Sequence, residues 1–346
     1  MRAVIFILIV VVIGGAIAFY VYWVRGIELL PQIPGFSQGH APKTRETVSP
    51  QGVKEKWDMR APMPTERTEV GVAAVDGMVY VVGGLDAFGR TSDAVELYDP
   101  KTDSWVKSSP LPEGRHHAGV AGVGGKLYVV GGFSGIRFTP VKTLFIYDPK
   151  TALWKWGAGL PEARGAAAVA VWQNRIWVFG GNLESGDTTT VLMYDPAVDR
   201  WEKKTPMRIA RDHLAAGVLE NRMYVVGGRA GSLTRNFGVL EVYDPLADIW
   251  SEEPSMPTPR GGSAAVVYLS RLYVFGGEEP GGTFDENEEY DPTTKQWREA
   301  LVMPTARHGL GAAVVDGAVY VIGGGKRPAL SVSNVNERYT ITFQQP

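Results

Sequence analysis

The chain contains no cysteine, which excludes disulfides, thiolate nucleophiles and sulfur ligands for a metal, although it does not fix a compartment. Charge of one sign is missing too. The formal net charge is -2 and no basic stripe runs along the sequence, so nucleic acid is not an expected partner. There is no GxSxG, no HExxH, no GxxxxGK and no GxGxxG opening a helix, so the common hydrolase, phosphate-binding and dinucleotide sites have no signature. Neither a metal nor a cofactor is expected, because the histidines are scattered and only His116 and His117 are close in sequence. What is present is 45% hydrophobic and 10% aromatic residues in a chain of 346, enough for one large all-β domain whose length is a multiple of a repeat.

The N-terminus stands apart. Residues 3 to 24 carry no formal charge and lie between Arg2 and Arg25, long enough as a helix to cross a hydrocarbon core of about 30 Å. Residues 1–25 are therefore expected to be a transmembrane anchor. The alternative is a cleaved signal peptide, on the small-x-small run Ala16-Ile17-Ala18; against it, FYVYWV continues apolar and aromatic beyond that point. The expectation is a single-pass membrane protein with its domain on the extracytoplasmic side, although Arg2, Arg25, Lys43 and Arg45 hardly separate the two sides. Residues 26–52, with four prolines and four glycines, read as a linker spanning about 30 Å as a coil.

From residue 53 to 346 the text repeats. MVYVVGG at 78–84 returns as KLYVVGG, RIWVFGG, MYVVGG, LYVFGG and VYVIGG, with glycine pairs beginning at Gly83, Gly131, Gly180, Gly227, Gly276 and Gly323, an average interval of 48 residues. Each pair follows an arginine (Arg67, Arg115, Arg164, Arg211, Arg260, Arg307) by sixteen residues, and each arginine follows a tryptophan (Trp57, Trp105, Trp154, Trp201, Trp250, Trp297) by ten. The tyrosines of Tyr-Asp-Pro, from Tyr98 to Tyr290, precede a tryptophan by seven. Only the stretch from Gly-Gly to tyrosine changes length, so one loop absorbs the variation. Alternating Val, Ile, Leu, Tyr and Trp favour strands, four to a unit.

These four columns in this order resemble a Kelch repeat, and six in tandem resemble a six-bladed Kelch β-propeller. The sixth copy departs, with Tyr339-Thr340 in place of Tyr-Asp-Pro, and the chain ends where its tryptophan is due. Trp57 has no repeat before it, so residues 53–59 are expected to close the last blade as its outer strand. Hairpins at Asp76-Gly77, Gly124-Gly125, Asn174-Arg175, Asn221-Arg222 and Asp316-Gly317 are short scaffold turns on one face.

The resemblance implies that ligands bind on the other face, around the channel mouth, where each blade's entry meets the loop after Gly-Gly. Candidates there are His116, His117, His213 and His308, one or two places after a column arginine, with Glu69 and Asp212 in equivalent places. The histidines could equally be polar starts of inner strands. The arginine column, Arg67, Arg115, Arg164, Arg211, Arg260 and Arg307, suits either a structural role or bidentate capture of a carboxylate. The variable loops add Arg90, Arg137, Arg229, Arg235 and Arg327 with Phe88 and Phe138, while Glu278 to Glu289 reads as a solvated or partner-facing acidic edge. The expected function is a membrane-anchored binding module for a protein or glycan ligand. The alternative is a carbohydrate-active Kelch enzyme of the sialic-acid mutarotase or epimerase type. The galactose-oxidase type is excluded, since its cysteine-linked tyrosine cannot form here; no catalytic residue is assigned.

Overall fold

The computed structural model describes residues 44–48 and 52–343. The expected membrane span at residues 3–24 and most of the linker lie outside the described residues. Among the described residues no helix is long and apolar enough to cross a membrane.

Six antiparallel sheets follow one another along the chain. Blade 1 consists of Gly71–Val75, Met78–Val82, Val95–Asp99 and Ser104–Lys107, and blades 2 to 5 repeat this meander. Inner strands such as Ala168–Trp172 alternate buried and half-buried residues, because one side packs on a neighbour and the other looks into the channel. Second strands are buried on both faces, with Val79, Val81, Tyr80 and Val82 at most 4% exposed, as expected for a sheet sandwiched between two others.

The sequence columns become contacts. The seven-residue offset makes each tyrosine and tryptophan directly opposed partners on the third and fourth strands, as in Tyr98↔Trp105 and Tyr243↔Trp250, with ring centroids 4.8–5.2 Å apart throughout. Each tryptophan Nε1 donates to the carbonyl four residues beyond the preceding blade's tryptophan, from Trp105 to Ala61 round to Trp57 to Leu301, at 2.7–3.1 Å. The glycine pair makes a second set of links. Gly84 N donates to Arg115 O, Gly132 to Arg164, Gly181 to Arg211, Gly228 to Arg260, Gly277 to Arg307 and Gly324 to Arg67, which returns to the start. Both glycines of the first pair have positive φ, and a Cβ on Gly83 would sit 2.1 Å from Arg115 O, so a side chain there would break the junction.

Closure is as the Trp57 spacing requires. Val53–Met59 pairs with Asn336–Phe343 in the register Trp57↔Tyr339, so the outer strand of blade 6 comes from the opposite end of the domain. One boundary differs from the sequence reading. Thr44–Val48, assigned to the linker on composition, pairs with Val53–Met59 as a fifth strand and covers what would be a bare edge. The turns also shift. Gln173-Asn174 and Glu220-Asn221, both with positive φ, are the central turn residues, and Arg175 and Arg222 already belong to strands. A type I′ turn needs two left-handed residues, and Asn takes the second place as readily as the first. Leu269-Ser270 is the equivalent turn in blade 5.

Candidate functional site

Each blade enters its inner strand through the residues one and two places after the column arginine. The second of these, Glu69, His117, Ala166, His213, Gly262 and Gly309, is left-handed in all six blades, with φ between 50° and 68°. Their backbones are chained around the channel. His117 N donates to Glu69 O, Ala166 to His117, His213 to Ala166, Gly262 to His213 and Gly309 to Gly262, at 2.8–3.0 Å. The first residue pairs instead with the residue after Gly-Gly: Thr68 with Leu85, His116 with Phe133, Asp212 with Arg229, Gly261 with Glu278 and His308 with Gly325. This rigid double ring holds side chains from different blades against one another at the channel mouth.

The result is a connected polar cluster. The Glu69 carboxylate lies 3.2 Å from His117 Nε2 and 3.2 Å from His308 Nδ1, and Glu278 Oε2 lies 3.5 Å from the same His308 atom. Arg229 donates to Glu278 Oε1 at 2.7 Å and to His213 Nε2 at 2.8 Å, and His213 Nδ1 is 2.8 Å from Asp212 Oδ1. His116 and His117 share a hydrogen bond between their Nδ1 atoms at 2.6 Å. His308 and Glu278 are 1% and 2% exposed.

Burial and neighbouring charge work against each other here. Burial raises Glu69, but the imidazoles of His117, His308 and His213 outweigh it and hold the carboxyl well below its usual range. Burial lowers His308, yet Glu69 and Glu278 prevail and its pKa is raised. Burial pushes His116 down to about 4, only partly offset by the Gly135 carbonyl. His117 falls well below its ordinary value because burial outweighs the attraction of Glu69. The sequence pattern treats these histidines as alike; their surroundings push His116 and His117 down and His308 up.

Above the cluster lies a pocket of about 590 Å³. Its floor is Thr68, Glu69, His117, Arg229 and Glu278, and its walls are Leu85, Phe88, Ile136, Phe138, Leu233 and Leu330 from four loops. A narrower space of about 110 Å³ continues down the channel past His117 and His213. Phe88 and Ile136 are 78% and 76% exposed, and Phe138 packs edge-on against His116 with centroids 4.5 Å apart.

Of the sixteen candidate residues, Glu69, His116, His117, Asp212, His213 and His308 meet at this site. The column arginines do not. Arg67, Arg115, Arg164, Arg211, Arg260 and Arg307 are at most 2% exposed and face their own blade. In four blades the sixteen-residue offset is itself a bond, from the arginine to the first glycine's carbonyl: Arg164 to Gly180 at 3.1 Å, Arg260 to Gly276 at 2.7 Å, Arg307 to Gly323 at 2.7 Å and Arg67 to Gly83. Four of them also pair with a glutamate two residues before the column tyrosine, Glu96, Glu241, Glu288 or Glu337. Where Phe145 and Leu192 stand in that place, Arg115 and Arg164 take Glu113 and Glu162, two residues before themselves. Their charge is spent inside the blade, so bidentate capture of a ligand is not the role this burial supports.

The loop arginines Arg90, Arg137, Arg235 and Arg327 are exposed on the rim, and none lines the pocket. Arg90 is held by Asp86 at 2.7 Å. Sequence reasoning placed Arg229 only among the variable-loop arginines, and Glu278 only in a solvated or partner-facing edge, and assigned neither to the site. Their signal was the constant place directly after Gly-Gly, opposite the residue that follows the arginine.

A family model described as the KLHDC2/KLHL20/DRC7 Kelch-repeats domain matches residues 110–255 and 166–342, and one described as the Kelch motif matches residues 66–112. Among solved structures the chain is similar to the one titled "Structure of YjhT", with a TM-score of 0.71 and 16% identity over 82% of this chain and 99% of that one, a likeness of fold. No curated protein matches. Four columns in register through six copies, a ring closed by its own N-terminal strand and the span of the family match lead to one assignment: the chain belongs to the Kelch-repeat family and is a six-bladed β-propeller.

Proposed function

We propose that this propeller is a membrane-anchored binding module whose channel-mouth pocket takes the end of a protein or glycan ligand that combines a polar head with an apolar arm. The observation that carries the reading is the pocket's division into a buried charged floor and an exposed apolar wall. Its volume falls within the range of about 300–1,000 Å³ that small ligands and chain ends fill. Leu85, Ile136, Leu233 and Leu330 outnumber the aromatic residues in that wall, which favours an aliphatic peptide side chain over a sugar. Residues 3–24 would hold the propeller at a membrane and the linker would let it stand clear.

A second reading, a carbohydrate-active enzyme of the mutarotase or epimerase type, draws on Glu69. A buried, ionised carboxylate between two imidazoles, one neutral and one cationic, is suited to passing protons to and from a bound hydroxyl.

The deciding experiment presents the full chain in detergent to a peptide library and a glycan array. Phe138→Ala and Ile136→Asp should each weaken the selected ligand about tenfold or more, while Arg222→Ala in the exposed turn region of the opposite face leaves it unchanged. Equal losses from both faces would refute the site. For the enzyme reading, NMR of free sugars should show anomer exchange accelerated by the protein and abolished in Glu69→Gln.

A further inference from the structure

The Glu69, Glu278 and His308 side chains come from blades 1, 5 and 6, and their nearest ligand atoms converge. His308 Nδ1 is 3.2 Å from Glu69 Oε1 and 3.5 Å from Glu278 Oε2, and one donor atom from each residue lies within 4.8 Å of the others. A tetrahedral cation bound at about 2.0–2.2 Å sets its ligand atoms roughly 3.4 Å apart, so the two spacings from His308 to the carboxylates are those of coordination edges. The groups are not aligned as hydrogen bonds: neither ring nitrogen of His308 has a hydrogen-bond partner, although the residue is 1% exposed. A buried imidazole between two carboxylates and aligned with neither is explained by a shared ion.

The backbone is shaped around these atoms. A Cβ on Gly309 would stand 2.6 Å from the Glu69 carboxylate, and one on Gly325 would stand 2.6 Å from His308 Nε2, so glycine at both places leaves the ligands their room. The Glu278 carboxylate is also held in place. Ala329 N donates to Glu278 Oε2 at 2.9 Å and Arg229 to its Oε1 at 2.7 Å. With His308 as a neutral ligand, two carboxylates face that one guanidinium, which leaves an excess of negative charge where a dication would sit. A competing triad, Glu69, His117 and His213, is weaker because the His213 Nε2 lone pair is already taken by Arg229.

We propose that Glu69, Glu278 and His308 form a three-ligand site for a divalent transition cation of the zinc class, with its fourth position open to the pocket. One nitrogen and two carboxylate donors suit zinc or manganese better than copper(I), and a three-protein-ligand set is the form that leaves a place for an incoming oxygen. The site deepens the pocket reading, in that the open position is where a ligand's polar head would dock, and rests on that reading for this role alone.

The test is calorimetric titration of zinc chloride into the full chain, in detergent, after EDTA stripping and buffer exchange. The expected result is one equivalent bound per chain, a raised melting temperature, and an X-ray absorption first shell of nitrogen and oxygen. His308→Ala and Glu278→Gln should each weaken zinc at least a hundredfold. Gly325→Ala should weaken it without removing a ligand, which a merely adventitious surface ion would not register. Arg222→Ala, on the opposite face, should bind as the parent does. No binding by the parent, unchanged affinity in His308→Ala, or loss confined to His213→Ala would overturn the proposal. Should any of these be found, ligand capture in EDTA with the Phe138→Ala comparison still judges the pocket by itself.

Discussion

Replacing Arg307 by methionine separates a structural arginine column from a ligand-gripping one. Arg307 and Glu337 are both 0% exposed and pair at 2.6 Å, and Arg307 also donates to Gly323 O at 2.7 Å. Removing the cation leaves Glu337 buried without its counter-charge, which costs about 3–5 kcal/mol. For a ring of this length the entropy of melting is about 0.6 kcal/mol/K, so the midpoint should fall by roughly 5–8 °C. Arg307→Met with Glu337→Leu should recover most of that. What stays lost is the bond to the Gly323 carbonyl, about 1–3 kcal/mol if no water replaces it. The assay is a double-mutant cycle by calorimetric melting of the detergent-solubilised chain, with ligand binding measured below the midpoint. A single mutant that melts with the parent but loses its ligand would refute the reasoning, and so would a double mutant as unstable as the sum of the singles.

Deleting Val53–Met59 should leave blade 6 without Trp57 and its bond to Leu301 O, giving a lower midpoint and edge-to-edge association by light scattering; an unchanged melt and a monodisperse sample would contradict the closure. His116 takes up its proton at about 4 when folded and near 6.5 when unfolded, so stability should fall as pH drops from 6.5 towards 4 and level off below; the full contribution is about 3 kcal/mol. His116→Phe should flatten that part of a denaturant-stability profile, and parallel profiles for parent and variant would disprove the assignment. If residues 3–24 are an uncleaved anchor, the chain should resist carbonate extraction from membranes, whereas a mature N-terminus at Phe19 would show a signal peptide instead.

Repetition made the scaffold readable, because constant spacings in the sequence are contacts remade from blade to blade, in all six for the tyrosine–tryptophan pair and in four for the arginine–glycine bond. The seven-residue offset is the tyrosine–tryptophan pair, the sixteen-residue offset is the arginine–glycine bond, and the solitary Trp57 is the closing strand. Contacts of this kind join neighbours in the chain or adjacent blades, so they leave a period that a single sequence displays. Thr44–Val48 was not readable, since an extra edge strand belongs to no repeat. The site was half readable. The place after each arginine pointed to the channel mouth, but the arginines themselves could be assigned to protein or ligand only once their side chains were seen buried against Glu96, Glu241, Glu288 and Glu337. Glu69, Glu278 and His308 lie up to 239 residues apart and obey no ligand spacing. Closing the ring sets blades 1 and 6 side by side, and that through-space meeting decided which residues share a site and which histidine is drawn towards its protonated form.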